Sequence, residues 1–436
     1  MYLLSALNKK IGFGLFVALF TTLLTGCGGG GGGTGGSTVP TISNLQYYPQ
    51  AAYVSTTETS FSGNVFFSDP DGDLASTTVT ITDSSGATVS TTTTPVQGAS
   101  GLTSGIIQGT VLALLAVADN YTIEVYVTDG QGHQSNVLSG PVRIAQFPWT
   151  SKQASSIGRQ YSAVAVLNGK LYVIGGQRTD AGITPGPVTS VMEFYDPQTN
   201  TWTPAPDMPT ARMGLVAAVV GGKLYAIGGS VDRIVGVGTV EEFDPVSQTW
   251  ATKASMPTPR YFAAGVQVGG RVFVIGGTQS SGSTGGLNTT EAYDPTTDTW
   301  SSVAALPTAR KELAAAESGG LIYAVGGYAG LIPQWVGTVE AYDPTSNSWS
   351  LLTPMPTARS QLALVAVAGK VLAAGGENAL RALDKLESYD ATTNSWGVKT
   401  PSPTGFTRTG AGVVNDKMYV LGNNLALEYD PANEIH

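Results

Sequence analysis

From about residue 160 onward, short apolar runs alternate with polar turns in a pattern that returns roughly every 48 residues. One unit shows its parts. An apolar run from Met213 to Val220 is followed by Gly221-Gly222 and a second run from Leu224 to Ile227. An acidic-aromatic segment then closes on Asp244-Pro245, and Trp250 opens a fourth run. Runs of this length, punctuated by Gly, Asp and Pro, predict strands, and a fixed long period predicts a repeat architecture. Trp202, Trp250, Trp300, Trp349 and Trp396 are spaced by 48, 50, 49 and 47 residues. Diglycines at Gly175-Gly176, Gly228-Gly229, Gly276-Gly277, Gly326-Gly327 and Gly375-Gly376 keep step, with Gly422-Asn423 in the last place. Such a pair lets backbones approach where a side chain would clash. In Asp-Pro-x-Ser/Thr-Asn/Asp/Gln, the Asp caps a tight turn and the Pro pre-sets φ, which predicts a hairpin. Each unit therefore predicts a four-stranded antiparallel meander. Arg159, Arg212, Arg260, Arg310, Arg359 and Arg408 mark six unit starts.

Diglycine, Tyr-Asp-Pro and Trp in this order resemble the kelch repeat over residues 147–436. The resemblance implies a six-bladed β-propeller, whose radially packed sheets suit small inner and bulky outer residues. The ring is also expected to close on itself. Trp149 stands ten residues before Arg159, as Trp202 does before Arg212, and no tryptophan run follows Tyr429-Asp430-Pro431. Residues 147–152 are thus expected to supply the fourth strand of the last blade.

Residues 41–146 carry shorter alternating runs, among them Phe61 to Phe67, Thr77 to Thr82, Gly105 to Leu114 and Tyr121 to Val127. About seven such runs in a segment of this size predict an antiparallel sandwich. Asp69-Pro70-Asp71-Gly72-Asp73 and the run from Asn120 to Gly132 resemble immunoglobulin-like and cadherin-like modules of bacterial surface proteins. The expected fold class is all-β: a six-bladed kelch β-propeller preceded by an immunoglobulin-like β-sandwich. Asp69, Asp71, Asp73 and Asp129 offer hard oxygen ligands of the kind calcium takes. Their spacing is not that of an EF-hand, because Leu74 and Thr80 occupy the glycine and glutamate places. The other reading is turn geometry alone. His133, in the same loop, is expected at the surface with no chemical task.

The N-terminal segment reads as an address. Lys9 and Lys10 precede an apolar run from Ile11 to Leu24, too short to span a bilayer, and this fits an export signal over 1–26. Leu24-Thr25-Gly26-Cys27 resembles the bacterial lipobox, which implies lipid attachment at Cys27. Gly28 after the cysteine resembles lipoproteins sorted to the outer membrane. The six glycines from Gly28 to Gly33 fit a flexible tether over 27–40. The expected location is the cell envelope, with membrane contact through the anchor alone.

Composition narrows the chemistry. Charged residues are only 12% of the chain and the net charge is −9, with no basic cluster, so a nucleic-acid partner is excluded. One cysteine rules out an internal disulfide framework, and two histidines leave no zinc or Ser-His-Asp site in the repeats. Kelch propellers include copper-radical oxidases, but their Cys-Tyr crosslink and histidine ligands have no counterpart here. The Asn-Ser-Trp turns lack the order of sialidase Asp boxes. No cofactor is expected.

What remains is carboxylate and guanidinium chemistry. Glu193, Glu241, Glu291, Glu340 and Glu387 each stand three residues before a turn aspartate, whereas the sixth unit has Leu427 there. The six arginines either pair with these glutamates to tie blades together or ring the channel mouth and draw an anionic sugar or acidic peptide. The sixth unit, around Arg408 and Leu427, then leaves one arginine unpaired. The loops between second and third strands differ in every unit. The one in unit four carries Tyr328, Leu331, Ile332 and Trp335, an apolar tip of the kind that anchors a partner. The functional expectation is a non-enzymatic envelope lipoprotein binding a protein or glycan through the propeller. Two alternatives stand beside it: a sugar mutarotase, since some bacterial kelch proteins act on sialic acid, and a structural subunit of an envelope complex.

Overall fold

The computed structural model describes residues 39–180, 182, 184–282, 285–330, 334–379 and 381–435. By packing, the chain divides into two units. The first runs to Phe147 and also takes the tail from Asn433, and the second runs from Pro148 to Ala432. The signal segment, Cys27 and nearly all of the glycine tether lie outside the described residues. Among the described residues no helix is long and apolar enough to cross a membrane.

The first unit is an N-terminal β region of two sheets. Thr41–Tyr48, Thr59–Ser68 and Ser104–Ala113 form one antiparallel sheet. The other has the order Ala51–Tyr53, Leu138–Ala145, Asp119–Asp129, Leu74–Thr82, Thr88–Pro95, with only its first pair parallel. Strict alternation places the sheets face to face. Along Asp119–Asp129, Tyr121, Ile123, Val125 and Val127 are buried and the residues between them are not. These residues share one core with Phe61, Val65 and Ile107 of the opposite sheet.

The second unit is a propeller of six four-stranded antiparallel sheets. Blade one comprises Ala163–Leu167, Lys170–Ile174, Met192–Asp196 and Thr201–Ala205. Blades two to five repeat this order from Val216–Val220, Ala264–Val268, Ala314–Ser318 and Ala363–Val367. Blade six takes Gly410–Val414, Lys417–Gly422 and Leu425–Tyr429 from the end of the unit and Trp149–Ser151 from its beginning. Each innermost strand packs against the innermost strands of the blades on either side, so the ring is closed. Second strands such as Lys223–Ile227 bury four residues in a row because neighbouring blades cover both faces.

The repeat residues explain the spacing of the blades. The indole N–H of Trp202, Trp250, Trp300, Trp349 and Trp396 donates to Gln153, Pro206, Ala254, Ala304 and Thr353 carbonyls of the preceding blade, at 2.7–2.9 Å. Trp149 completes the set by donating to the Thr400 carbonyl at 2.9 Å. At the hairpin, Asn200, Gln248, Asp298, Asn347 and Asn394 hold positive φ, which short polar side chains tolerate best. Four of them also accept a tyrosine hydroxyl bond at 2.7–2.8 Å, from Tyr195, Tyr293, Tyr342 and Tyr389.

Candidate functional site

Five of the six candidate arginines do not reach solvent. Arg159, Arg212, Arg260, Arg310 and Arg359 are 0–1% exposed. Each pairs with its blade's glutamate: Arg159–Glu193 at 2.6 Å, Arg212–Glu241 at 2.6 Å, Arg260–Glu291 at 2.9 Å, Arg310–Glu340, and Arg359–Glu387 at 2.5 Å. Each guanidinium also donates to a second-strand carbonyl fourteen residues on, from Val173, Ala226, Val274, Ala324 and Ala373. Burial lowers all five guanidinium pKa values, and the partner glutamates oppose the shift. A buried charge must be paired and hydrogen-bonded, and here the blade's glutamate and carbonyls pair each guanidinium, although Nε of Arg159, Arg260, Arg310 and Arg359 is buried without a hydrogen-bond partner. The expectation of an exposed guanidinium ring is therefore corrected for these five. They are struts, not ligand contacts.

Arg408 is not the sixth member of that set. The N–H of Gly176, Gly229, Gly277 and Gly327 donates to the carbonyl of the next blade's arginine at 2.8–3.0 Å, but Gly376 donates to Phe406. Phe406 thus fills the arginine place in blade six, and it packs in one core with Leu427, which fills the glutamate place, and with Trp149. An apolar pair replaces the ion pair. Spacing carried this signal: each of the five arginines precedes the first glycine of its blade by 16 residues, as Phe406 precedes Gly422, whereas Arg408 precedes it by 14.

Arg408 instead joins a second ring, two residues further along each unit. Tyr161 donates its N–H to the Arg408 carbonyl, Gly214 to Tyr161, Phe262 to Gly214, Glu312 to Phe262, Gln361 to Glu312 and Arg408 to Gln361, at 2.9–3.4 Å. All six residues have φ between +53° and +62°. This closed belt of backbone bonds encircles the axis, and its residues line a cavity of about 140 Å³ with contributions from every blade. The arginine, glutamate and tryptophan places repeat from blade to blade, but this belt does not. It presents two aromatics, a glycine, a carboxylate, an amide and a guanidinium.

The belt's side chains interact. Tyr161 and Phe262 face each other across Gly214 with ring centroids 5.0 Å apart. A Cβ at Gly214 would lie 2.9 Å from the Phe262 ring. The Arg408 guanidinium lies over Tyr161 at 5.3 Å, donates from Nε to Gln361 Oε1 at 3.0 Å and meets Glu377 Oε2 at 3.3 Å. Its side chain remains 35% exposed, unlike the five struts. Ser360 Oγ donates to Glu312 Oε2 at 3.2 Å. Burial pushes the Tyr161 hydroxyl up to about 12, with Arg408 opposing, so it is neutral and can donate at physiological pH. The belt can therefore offer an aromatic face, a cation and a carboxylate within one small cavity.

Tyr328 and Trp335 are not a free tip. They form a cross-strand pair in the short hairpin after the blade-four diglycine, edge to face at 5.7 Å, and both are half-buried. Lys311 Nζ sits 5.7 Å from the Tyr328 ring centre. Leu331 and Ile332 lie outside the described residues. In the first unit, Asp129 is consumed by its own loop: Oδ1 accepts the Gln131 and His133 N–H groups, and Oδ2 meets His133 Nδ1 at 2.9 Å. Burial pushes the Asp129 carboxyl up, but these bonds outweigh it and hold the group below its usual range. His133, whose side chain is 42% exposed, thus helps hold its own loop, and Asp129 is not among the carboxylates that cluster at the Asp69 turn.

The family model for the KLHDC2/KLHL20/DRC7 Kelch-repeats domain matches residues 160–355 and, in a second placement, 251–423. Human Kelch-like protein 33 is 34% identical over 110 residues, 24% of this chain and 20% of that protein. An F-box/kelch-repeat protein of Arabidopsis thaliana is 35% identical over 88 residues, 20% of this chain and 22% of its own length. Alpha-scruin of Limulus polyphemus is 36% identical over 86 residues, 20% of this chain and 9% of alpha-scruin. The matched segments thus span about a fifth or less of these relatives. The solved structure of YjhT superposes with a TM-score of 0.54 at 15% identity, covering 64% of this chain and 96% of YjhT, a likeness of fold alone. With matches that together run from residue 160 to 423, more than half of the chain, and the diglycine, arginine and tryptophan places filled as described, the chain belongs to the kelch-repeat family.

Proposed function

We propose that this protein is a non-enzymatic, lipid-anchored component of the cell envelope whose propeller binds a glycan, with a carboxylate-bearing sugar as the preferred ligand. The observation that carries the reading is the unrepeated belt at the axis. Scaffold positions recur in blade after blade, whereas the six belt residues differ, and function on a repeated scaffold resides in its unrepeated residues. Tyr161 supplies a stacking face, Arg408 a cation for a sugar carboxylate, and Glu312 and Gln361 acceptors for hydroxyls. In this reading Cys27 carries the lipid, the glycines lift the folded part off an outer membrane, and the first unit is an immunoglobulin-like spacer. A thermal-shift screen of the full chain against neutral and acidic sugars tests it. A saturable rise with acidic sugars is expected by linkage, and a flat response across the panel sinks the glycan reading in favour of a protein partner.

One observation favours a second reading, a sugar mutarotase. Glu312 and Arg408 line the same cavity, and ring opening needs an acid/base carboxylate beside a group that steadies charge. Anomer exchange followed by NMR separates the two. Acceleration by the wild type and its loss in Glu312→Gln would make the protein an enzyme, and an uncatalysed rate would leave it a binder.

A further inference from the structure

The turn after Thr59–Ser68 in the first unit gathers three carboxylates whose side-chain oxygens, from Asp69, Asp71 and Asp73, lie within 4.8 Å of one another. Asp69 is 0% exposed, and neither of its carboxylate oxygens receives a hydrogen bond. Asp73 Oδ1 is likewise buried without a partner. Removing an ion from water in this way costs several kcal/mol unless something compensates.

Turn capping compensates little: the Leu74 amide is turned toward Asp69, but the other backbone groups around the turn are held elsewhere. Asp69 N–H donates to the Thr103 carbonyl at 2.9 Å and Gly72 N–H to the Asp69 carbonyl at 3.1 Å. Gly101 N–H reaches Gly72 at 2.8 Å, and Gly130 N–H reaches the Asp73 carbonyl at 2.8 Å. The contrast with capping aspartates of the same unit is direct. Asp83 Oδ1 accepts the Ser85 and Ala87 N–H groups, and Asp129 Oδ1 accepts two more. A protein cation does not compensate either. Between residues 41 and 147 there are eight acidic residues, no lysine and a single arginine, Arg143. Arg143 lies on a different strand, opposite Asn120, and donates to the Glu434 carbonyl at 3.3 Å.

We propose that Asp69, Asp71 and Asp73 form a binding site for a calcium-class divalent cation. The donor set is all oxygen and rich in charge, as that ion prefers, and carboxylates at this separation suit contacts of about 2.3–2.6 Å, with water completing the shell. Asp69 is the inner anchor and exposed Asp71 the outer ligand. The ion neutralises the cluster and fastens the turn to the loop carrying Gly101.

The test is isothermal titration calorimetry of the chelator-treated full chain with calcium chloride and with magnesium chloride, alongside calorimetric melting. One calcium per chain is expected, bound more tightly than magnesium, with an upward shift of a melting transition. Asp69→Asn abolishes the heat, and Asp71→Asn, an exposed change that leaves the core untouched, weakens calcium at least tenfold. Absence of calcium uptake by the wild type at millimolar concentration overturns the proposal, as does equal uptake by Asp71→Asn.

Discussion

Blade six contains a natural double substitution that can be transplanted. There Phe406 and Leu427 stand where the other blades bury an arginine and a glutamate. In blade five, Arg359 donates to Glu387 Oε2 at 2.5 Å, to the Thr357 carbonyl at 3.1 Å and to the Ala373 carbonyl at 2.9 Å, and Thr357 Oγ1 bonds Glu387 Oε1 at 2.7 Å. Arg359→Met strands the buried Glu387 carboxylate with one remaining donor, and breaking a buried pair in this way costs about 3–5 kcal/mol. Glu387→Leu strands the guanidinium at a similar cost. The double variant leaves no buried charge and only neutral groups short of a partner, the Thr357 and Ala373 carbonyls and the Thr357 hydroxyl, a loss of about 1–2 kcal/mol. Methionine suits this blade better than phenylalanine. Met355 fills the place held in blade six by the smaller Ser402, four residues before the arginine place, so blade five has less volume to give a ring there. Urea unfolding of the four proteins gives the coupling energy, expected at about 3 kcal/mol or more in favour of the pair. Additive losses, or a double variant no more stable than either single one, would refute the argument that these arginines are struts held by their glutamates.

Two further outcomes follow from the belt and the ring closure. Gly214→Ala places a Cβ against the Phe262 ring at a φ of +61°, so stability falls by about 1–2 kcal/mol and sugar affinity drops several-fold, both read by melting with and without ligand. Glu428 holds the closing strand through Lys152 at 2.7 Å. Burial pushes its carboxyl up, but Lys152, Tyr419 and Lys417 outweigh that and leave it below its ordinary 4.5. A depressed carboxylate stabilises the fold at neutral pH and loses that contribution as pH falls through its folded value. Melting temperatures measured from pH 7 to pH 3 should therefore decline less in Lys152→Met than in the wild type.

The repeat made the propeller legible, because tryptophans, diglycines and Asp-Pro turns each perform one local task in every blade. The closing strand was legible for the same reason, since Trp149 stands at the tryptophan offset. The site was hidden by the same regularity. Arg408 falls 49 residues after Arg359 and so looks like the next arginine in the series, while the two-residue offset shows only against the glycine at 422. The belt residues share no side-chain type, and what they have in common is a positive φ and a backbone bond to the next blade. Neither leaves a mark in composition. In the first unit, Asp69 and Asp129 look alike as turn aspartates. They separate only once the amides they cap, or fail to cap, are located.

The most direct measurement of the central claim is a calorimetric titration of the full chain and its Arg408→Gln variant with one acidic sugar and its neutral analogue. The belt account predicts saturable binding of the acidic sugar to the wild type. It also predicts a loss of about tenfold or more in the variant, since a charge-assisted hydrogen bond is worth roughly 1.5–3 kcal/mol, and little change for the neutral sugar. Equal affinity for both sugars in both proteins would contradict it.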